Sequence, residues 1–280
     1  MRPSLPWRGQ SRAPKGRHPM AHLKALPHPH LPAFASEGGT LRAEGLRAYL
    51  LALREVYLPY APVPPVVLYV LSERDWRARL SHPYGLPFQR SEGGTLALYA
   101  PLRYPERLLH RLREVLLSLG PPPGEIPAFL DLNLGHEYAH ALQVAWRLRT
   151  GARWLDEFFA NYLFLLGLER ARPELAKHLL SWSAYLSRLS PATRSLSSYE
   201  RRRGSLESAL WFQAQFTLKA QALLEEDGDR LLNAFLEAAP LDRKKGHRLL
   251  LALYPELRDW FAAFGLRGAP GSGSALPPGS

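Results

Sequence analysis

Residues 131–162 read DLNLGHEYAHALQVAWRLRTGARWLDEFFANY, and their spacing decides how the chain is organised. His136 and His140 stand four apart with Glu137 beside the first, an H-E-x-x-H pattern. A helix brings residues four apart onto one face, so two imidazole nitrogens can address one metal ion. Glu137 would then reach a water held by that ion, in position to take and return its proton. Pro127 suits a first helical turn, and Leu130, Leu134, Ala141, Leu142, Ala145 and Leu148 recur at three- and four-residue steps up to Thr150-Gly151. That periodicity predicts one ligand-bearing helix over the whole stretch.

A third ligand is expected nearby. The segment from Trp154 to about Arg172, ahead of Pro173, is a second amphipathic helix. It opens with Asp156 and Glu157 set among Trp154, Phe158, Phe159 and Tyr162. A carboxylate in such apolar company is costly unless a positive charge neutralises it, which a metal ion would do.

H-E-x-x-H followed by a glutamate on the next helix, within W-L-x-E-x-x-A, resembles the gluzincin group of zinc metallopeptidases over about 30 residues. The resemblance implies Zn2+ as cofactor, His136, His140 and Glu157 as its ligands, and Glu137 as general base, with Asp156 the reserve ligand. It also implies that Asn161, one turn after Glu157, hydrogen-bonds a ligand histidine and fixes its tautomer. Sixteen residues separate His140 from Glu157, fewer than in the thermolysin and aminopeptidase branches, and the aminopeptidase G-x-M-E-N stretch is absent. The chain therefore reads as a divergent zincin-like peptidase, an endopeptidase acting on peptide or protein substrates. The competing readings are a zincin fold kept for binding or regulation, and an accidental motif in a helical interaction protein.

Outward from the motif, 280 residues at 46% hydrophobic can build a substantial core. There is no cysteine, hence no disulfide and no thiolate metal site. No apolar run approaches a membrane span, and the N-terminus lacks the apolar stretch of a signal peptide, so a cytoplasmic setting without membrane contact is expected. The net charge of +11 is concentrated at the front. Residues 1–36 hold Arg2, Arg8, Arg12, Lys15, Arg17 and Lys24 with no acid and many prolines, and read as a disordered basic arm, with Met20 as a possible later start. Nucleic-acid binding through that arm, or through Arg201-Arg202-Arg203, is the lesser expectation.

The pattern predicts a mostly helical α+β fold: a small N-terminal α/β lobe (37–150) ending in the ligand helix, a helical C-terminal lobe (151–267) and a disordered tail (268–280). In the first lobe, 40–57 reads as a helix, 66–71 and 95–100 as strands, and 72–80 and 105–119 as helices. By the same resemblance Thr95–Ala100 is the candidate edge strand for extended substrate, with an ordinary interior strand the alternative. An oxyanion stabiliser is expected from the C-terminal lobe. Tyr199 is the first candidate, His178 and His247 are the others, and His82 and His110 read as residues without a role.

Overall fold

The computed structural model describes residues 22–201 and 205–264. The front of the arm with Met20, the Arg202-Arg203 pair and the tail from 268 lie outside the described residues.

The α+β class holds, and the sheet is larger than the sequence suggests. Five strands, β1 (Lys24–Leu26), β2 (Ala33–Ala35), β3 (Val66–Leu71), β4 (Phe88–Glu92) and β5 (Thr95–Pro101), lie in the order β1-β2-β3-β5-β4. The central three run parallel, while β1 and β4 pair antiparallel at the two edges.

Two expectations are corrected here. The arm does not extend to residue 36, because Ala33, Phe34 and Ala35 pair with Leu68, Tyr69 and Val70, and Leu31, Ala33 and Ala35 are fully buried. Three-residue strands broken by prolines carry no readable period; partners on β3 make them strands. Nor is Thr95–Pro101 an edge, since it sits between β3 and β4. The edge beside the ligand helix is β4, whose sequence FQRSE lacks alternation and which is paired to β5 through the two-residue turn Gly93-Gly94.

One face of the sheet carries a cross-strand ladder of rings, Phe34, Tyr69, Tyr99 and Phe88, stacked at 5.3, 5.0 and 5.0 Å. Trp76 of α2 (Glu73–Arg79) closes over it edge-on. The other face joins the main core with α1 (Thr40–Tyr57) and the ligand helix. α3 (Glu106–Leu116) then leads to the helical region.

The ligand stretch is two helices rather than one, α4 (Ile126–Leu132) and α5 (Leu134–Ala145). Asn133 divides them, its side chain donating to the Phe129 carbonyl at 2.8 Å, a local bond that competes with the helix ladder. α5 also stops before the expected Thr150-Gly151. Arg147 turns left-handed at φ 59, Arg147 N–H donates to Val144 O at 3.2 Å, and Leu148 N–H donates to Gln143 O at 2.8 Å. This reverse turn is closed by burial of Leu148.

α6 (Arg153–Ala171) is the axis of the remainder, buried almost all round from Trp154 to Leu168 as its continuous apolar sequence requires. α1, α5, α7 (Pro173–Leu186) and α9 (Leu206–Asp227) pack against it. α8 (Leu196–Glu200), α10 (Arg230–Ala238), α11 (Arg243–Leu253) and α12 (Leu257–Ala262) complete the fold. Ser205 caps α9, accepting from Ser208 N–H at 3.1 Å.

Close approach of α5 to α1 and α6 depends on Gly135, next to the first ligand histidine. A Cβ there would overlap the Tyr49 hydroxyl and the Phe164 ring. Tyr49 cannot retreat, because its hydroxyl donates to the Leu132 carbonyl at 2.8 Å. In an open helix Gly→Ala stabilises by about 0.8–1.0 kcal/mol. At this site overpacking reverses the sign, so Gly135→Ala should destabilise by roughly 1–3 kcal/mol and lower the midpoint of thermal unfolding.

Candidate metal centre

α5 and α6 cross so that His136, His140 and Glu157 converge, with one donor atom of each inside 4.8 Å of the others. His136 Nε2 lies 3.2 Å from Glu157 Oε2, and His140 Nε2 lies 3.5 Å from the same oxygen. Both imidazoles are 8% exposed and Glu157 18%. Donors bound to one tetrahedral ion at about 2.0–2.1 Å stand about 3.3 Å apart, so these two separations could serve a shared ligand sphere, and the shorter of them is equally a hydrogen bond between imidazole and carboxylate.

The electrostatics ask for a cation. Burial alone would raise the Glu157 carboxyl, but the His136 and His140 imidazoles hold it well below the usual carboxylate range. For His140, burial acts to lower the pKa, and Glu157 with Glu137 reverses this and raises it. Glu137 is pushed upward by burial, with the two imidazoles pulling it back in part. Two carboxylates and two imidazoles in one dry space are balanced either by protons on the rings or by a metal ion.

Asp156 is not a competing ligand. Its carboxylate accepts from Thr150 N–H at 2.7 Å and Thr150 Oγ1 at 2.8 Å, and pairs with Arg149 Nε at 3.1 Å, which closes the turn between α5 and α6. With Asp156 spent on the turn, Glu157 one position on faces the histidines.

Asn161 is placed differently from expectation: it bonds no histidine. Its Nδ2 donates to Glu157 O at 2.8 Å and Gln213 Oε1 at 2.6 Å, and its Oδ1 accepts from Thr217 at 2.9 Å. The histidine partner is Gln143, one turn beyond His140 on the same helix, with Oε1 at 2.8 Å from His140 Nδ1. Gln143 Nε2 donates to the Asp156 carbonyl at 2.8 Å, which fixes which end of the amide faces the ring. An acceptor at Nδ1 puts the proton there and leaves the Nε2 lone pair toward Glu157 and any ion. Arg149 NH1, 3.3 Å from the same Nδ1, then contributes charge rather than a hydrogen bond.

A second glutamine missing from the sequence reading, Gln213 of α9, donates to Glu157 Oε2 at 2.8 Å and to the Tyr199 hydroxyl at 3.1 Å. Tyr199 is thereby brought to the edge of the centre. Burial, followed by the Glu157 charge, raises its pKa well above the ordinary phenol value, so it keeps its proton. Arg153 stacks 4.3 Å from the Tyr199 ring and donates to its carbonyl at 2.6 Å, while Glu200 accepts from Trp154 N–H at 3.2 Å. α8 is thus anchored on the first turn of α6, one turn from Glu157.

The other candidates lie in other contacts. His178 accepts from the Trp182 indole at 3.2 Å, His247 packs edge-on to Trp154 at 5.6 Å, and His110 is exposed beside Glu114. His82 lies 4.3 Å from the Phe88 ring.

No protein-family model, no curated protein and no solved structure matches the chain.

If Gln143 holds His140 in its ligating tautomer, Gln143→Met should weaken zinc binding about 10–100-fold in a calorimetric titration. Zinc at a hundred times its dissociation constant should stabilise the wild-type fold by about 2.7 kcal/mol. An unchanged affinity in Gln143→Met would remove the residue from the site.

Proposed function

We propose that the protein is a gluzincin-like zinc peptidase, cleaving peptide bonds of extended protein substrates. The observation that carries the reading is the meeting of His136, His140 and Glu157 at ligand-to-ligand distances of 3.2 and 3.5 Å with Glu137 adjacent in sequence to the first histidine. A purely structural site has no need of the fourth residue. Bound at this centre, zinc would supply a Lewis acid that polarises the scissile carbonyl and lowers the pKa of water.

The chain's own residues account for the remaining tasks. Glu137, with its carboxyl pushed upward by burial, accepts the proton of the attacking water and returns it to the leaving nitrogen. Tyr199 stays protonated and offers a hydroxyl hydrogen, since its oxygen already accepts from Gln213. We assign it to the developing oxyanion. β4 replaces Thr95–Ala100 as the strand that receives substrate, because it is the sheet edge packed beside α5. Those of its outward peptide groups not bonded to Glu137 can add an extended substrate to the sheet. No helix among the described residues is long and apolar enough to cross a membrane. The cytoplasmic setting drawn from the sequence belongs to the same proposal.

Glu137→Gln should retain zinc yet lose about 10²–10⁴-fold in cleavage of a generic unfolded protein, because an amide cannot take the proton. Tyr199→Phe should lower kcat with zinc affinity kept. A Glu137→Gln enzyme retaining more than about a tenth of wild-type activity would show that the base is misassigned.

A further inference from the structure

Among the described residues, the hydrogen bond of the Glu137 carboxylate is to main chain. Gln89 N–H of β4 donates to Glu137 Oε2 at 2.9 Å. The sheet register explains why this amide is available. A two-residue turn at Gly93-Gly94 makes Glu92 and Thr95 the closing pair, and pairing then runs through Arg90 with Ala97 and Phe88 with Tyr99. In an antiparallel ladder alternate residues turn their peptide groups to the partner strand, so those of Gln89 and Ser91 face outward. Ser91 is exposed, but Gln89 is partly covered by α5 and its amide meets the carboxylate instead of water.

We propose that the main-chain amide of Gln89 is the positioning group for the general base, an inference that rests on the peptidase reading for Glu137. A glutamate side chain has three rotatable bonds, and an unheld carboxylate would sample several directions. An amide on a sheet has none of that freedom, and its bond to an ionised oxygen is charge-assisted. It pins Oε2 and leaves Oε1 to address the proton of the reacting water. The contact joins the strand that receives substrate to the residue that moves the proton. Any residue except proline at position 89 supplies the amide, so the device leaves no trace in side-chain chemistry.

The test therefore compares Gln89→Pro, which removes the amide, with Gln89→Ala, which removes only the side chain. A misplacement of about 1 Å in a catalytic group can cost ~10²-fold. Accordingly kcat for Gln89→Pro should fall at least about tenfold below that of Gln89→Ala, with KM little altered and zinc affinity retained. A Gln89→Pro enzyme whose kcat equals that of Gln89→Ala overturns the proposal.

A second readout does not require turnover or the proline fold. In 15N-labelled protein the Gln89 amide proton should resonate downfield and move upfield in Glu137→Ala, whereas the Ser91 amide should not. Absence of that shift overturns the contact itself. Presence of the shift in a protein without peptidase activity would leave the contact standing and remove the peptidase reading alone.

Discussion

A carboxylate held between two imidazoles in a largely dry space is the constraint on which the rest of the structure depends. Glu157 accepts from Gln213 at 2.8 Å and has the His136 and His140 Nε2 atoms at 3.2 and 3.5 Å from the same oxygen, where positive charge on the rings or an ion between them balances it. Removing any one leaves a buried charge short of a partner, a fault that generally costs several kcal/mol. The fold therefore has to bring α5, α6 and α9 to one point and hold them there. Each helix contributes a side chain that meets the others at Glu157.

Much of the surrounding architecture serves that convergence. Gly135 lets α5 approach α1 and α6, while the Tyr49 and Tyr57 hydroxyls donate to the Leu132 and Leu163 carbonyls at 2.8 and 2.6 Å. These bonds run from α1 to the end of α4 and to α6. Asp156 closes the turn between the ligand helices, and Gln143 spans it from His140 to the Asp156 carbonyl. On the far side Arg42 grips Asp131 through two bonds of 2.5 and 2.7 Å, fixing α4 to the start of α1. Under the zinc-peptidase proposal, such a preformed sphere would favour metal binding, since little ordering would remain at the moment of binding.

The parts of this arrangement that the sequence declares are those with a short-range period. His136 and His140 fall on one helical face by spacing alone, with Glu137 beside the first; Asp156 and Glu157 both need an explanation among Trp154, Phe158 and Phe159, and the gluzincin resemblance is what singles out Glu157. The parts it conceals depend on partners distant in the chain. β1 and β2 have three residues each and become strands through β3; β4 has no alternation and becomes an edge through a turn. Asn161 occupies the place where a histidine partner is expected, yet Thr217 and Gln213 of α9 draw its amide away. Gln143 could have been found, being three residues after His140 on the same helix, where a side-chain amide can reach Nδ1. Gln213 and the Gln89 amide could not, since nothing local marks them.

The claim beneath all of this is that one ion sits among His136, His140 and Glu157. X-ray absorption at the zinc edge of the metal-loaded protein measures that directly. The account expects one equivalent of zinc in a four-coordinate shell of nitrogen and oxygen at about 2.0–2.1 Å, with the outer-shell scattering of two imidazoles, one of which vanishes in His140→Ala. A six-coordinate shell, a spectrum lacking imidazole scattering, or zinc that leaves on simple dialysis would contradict it.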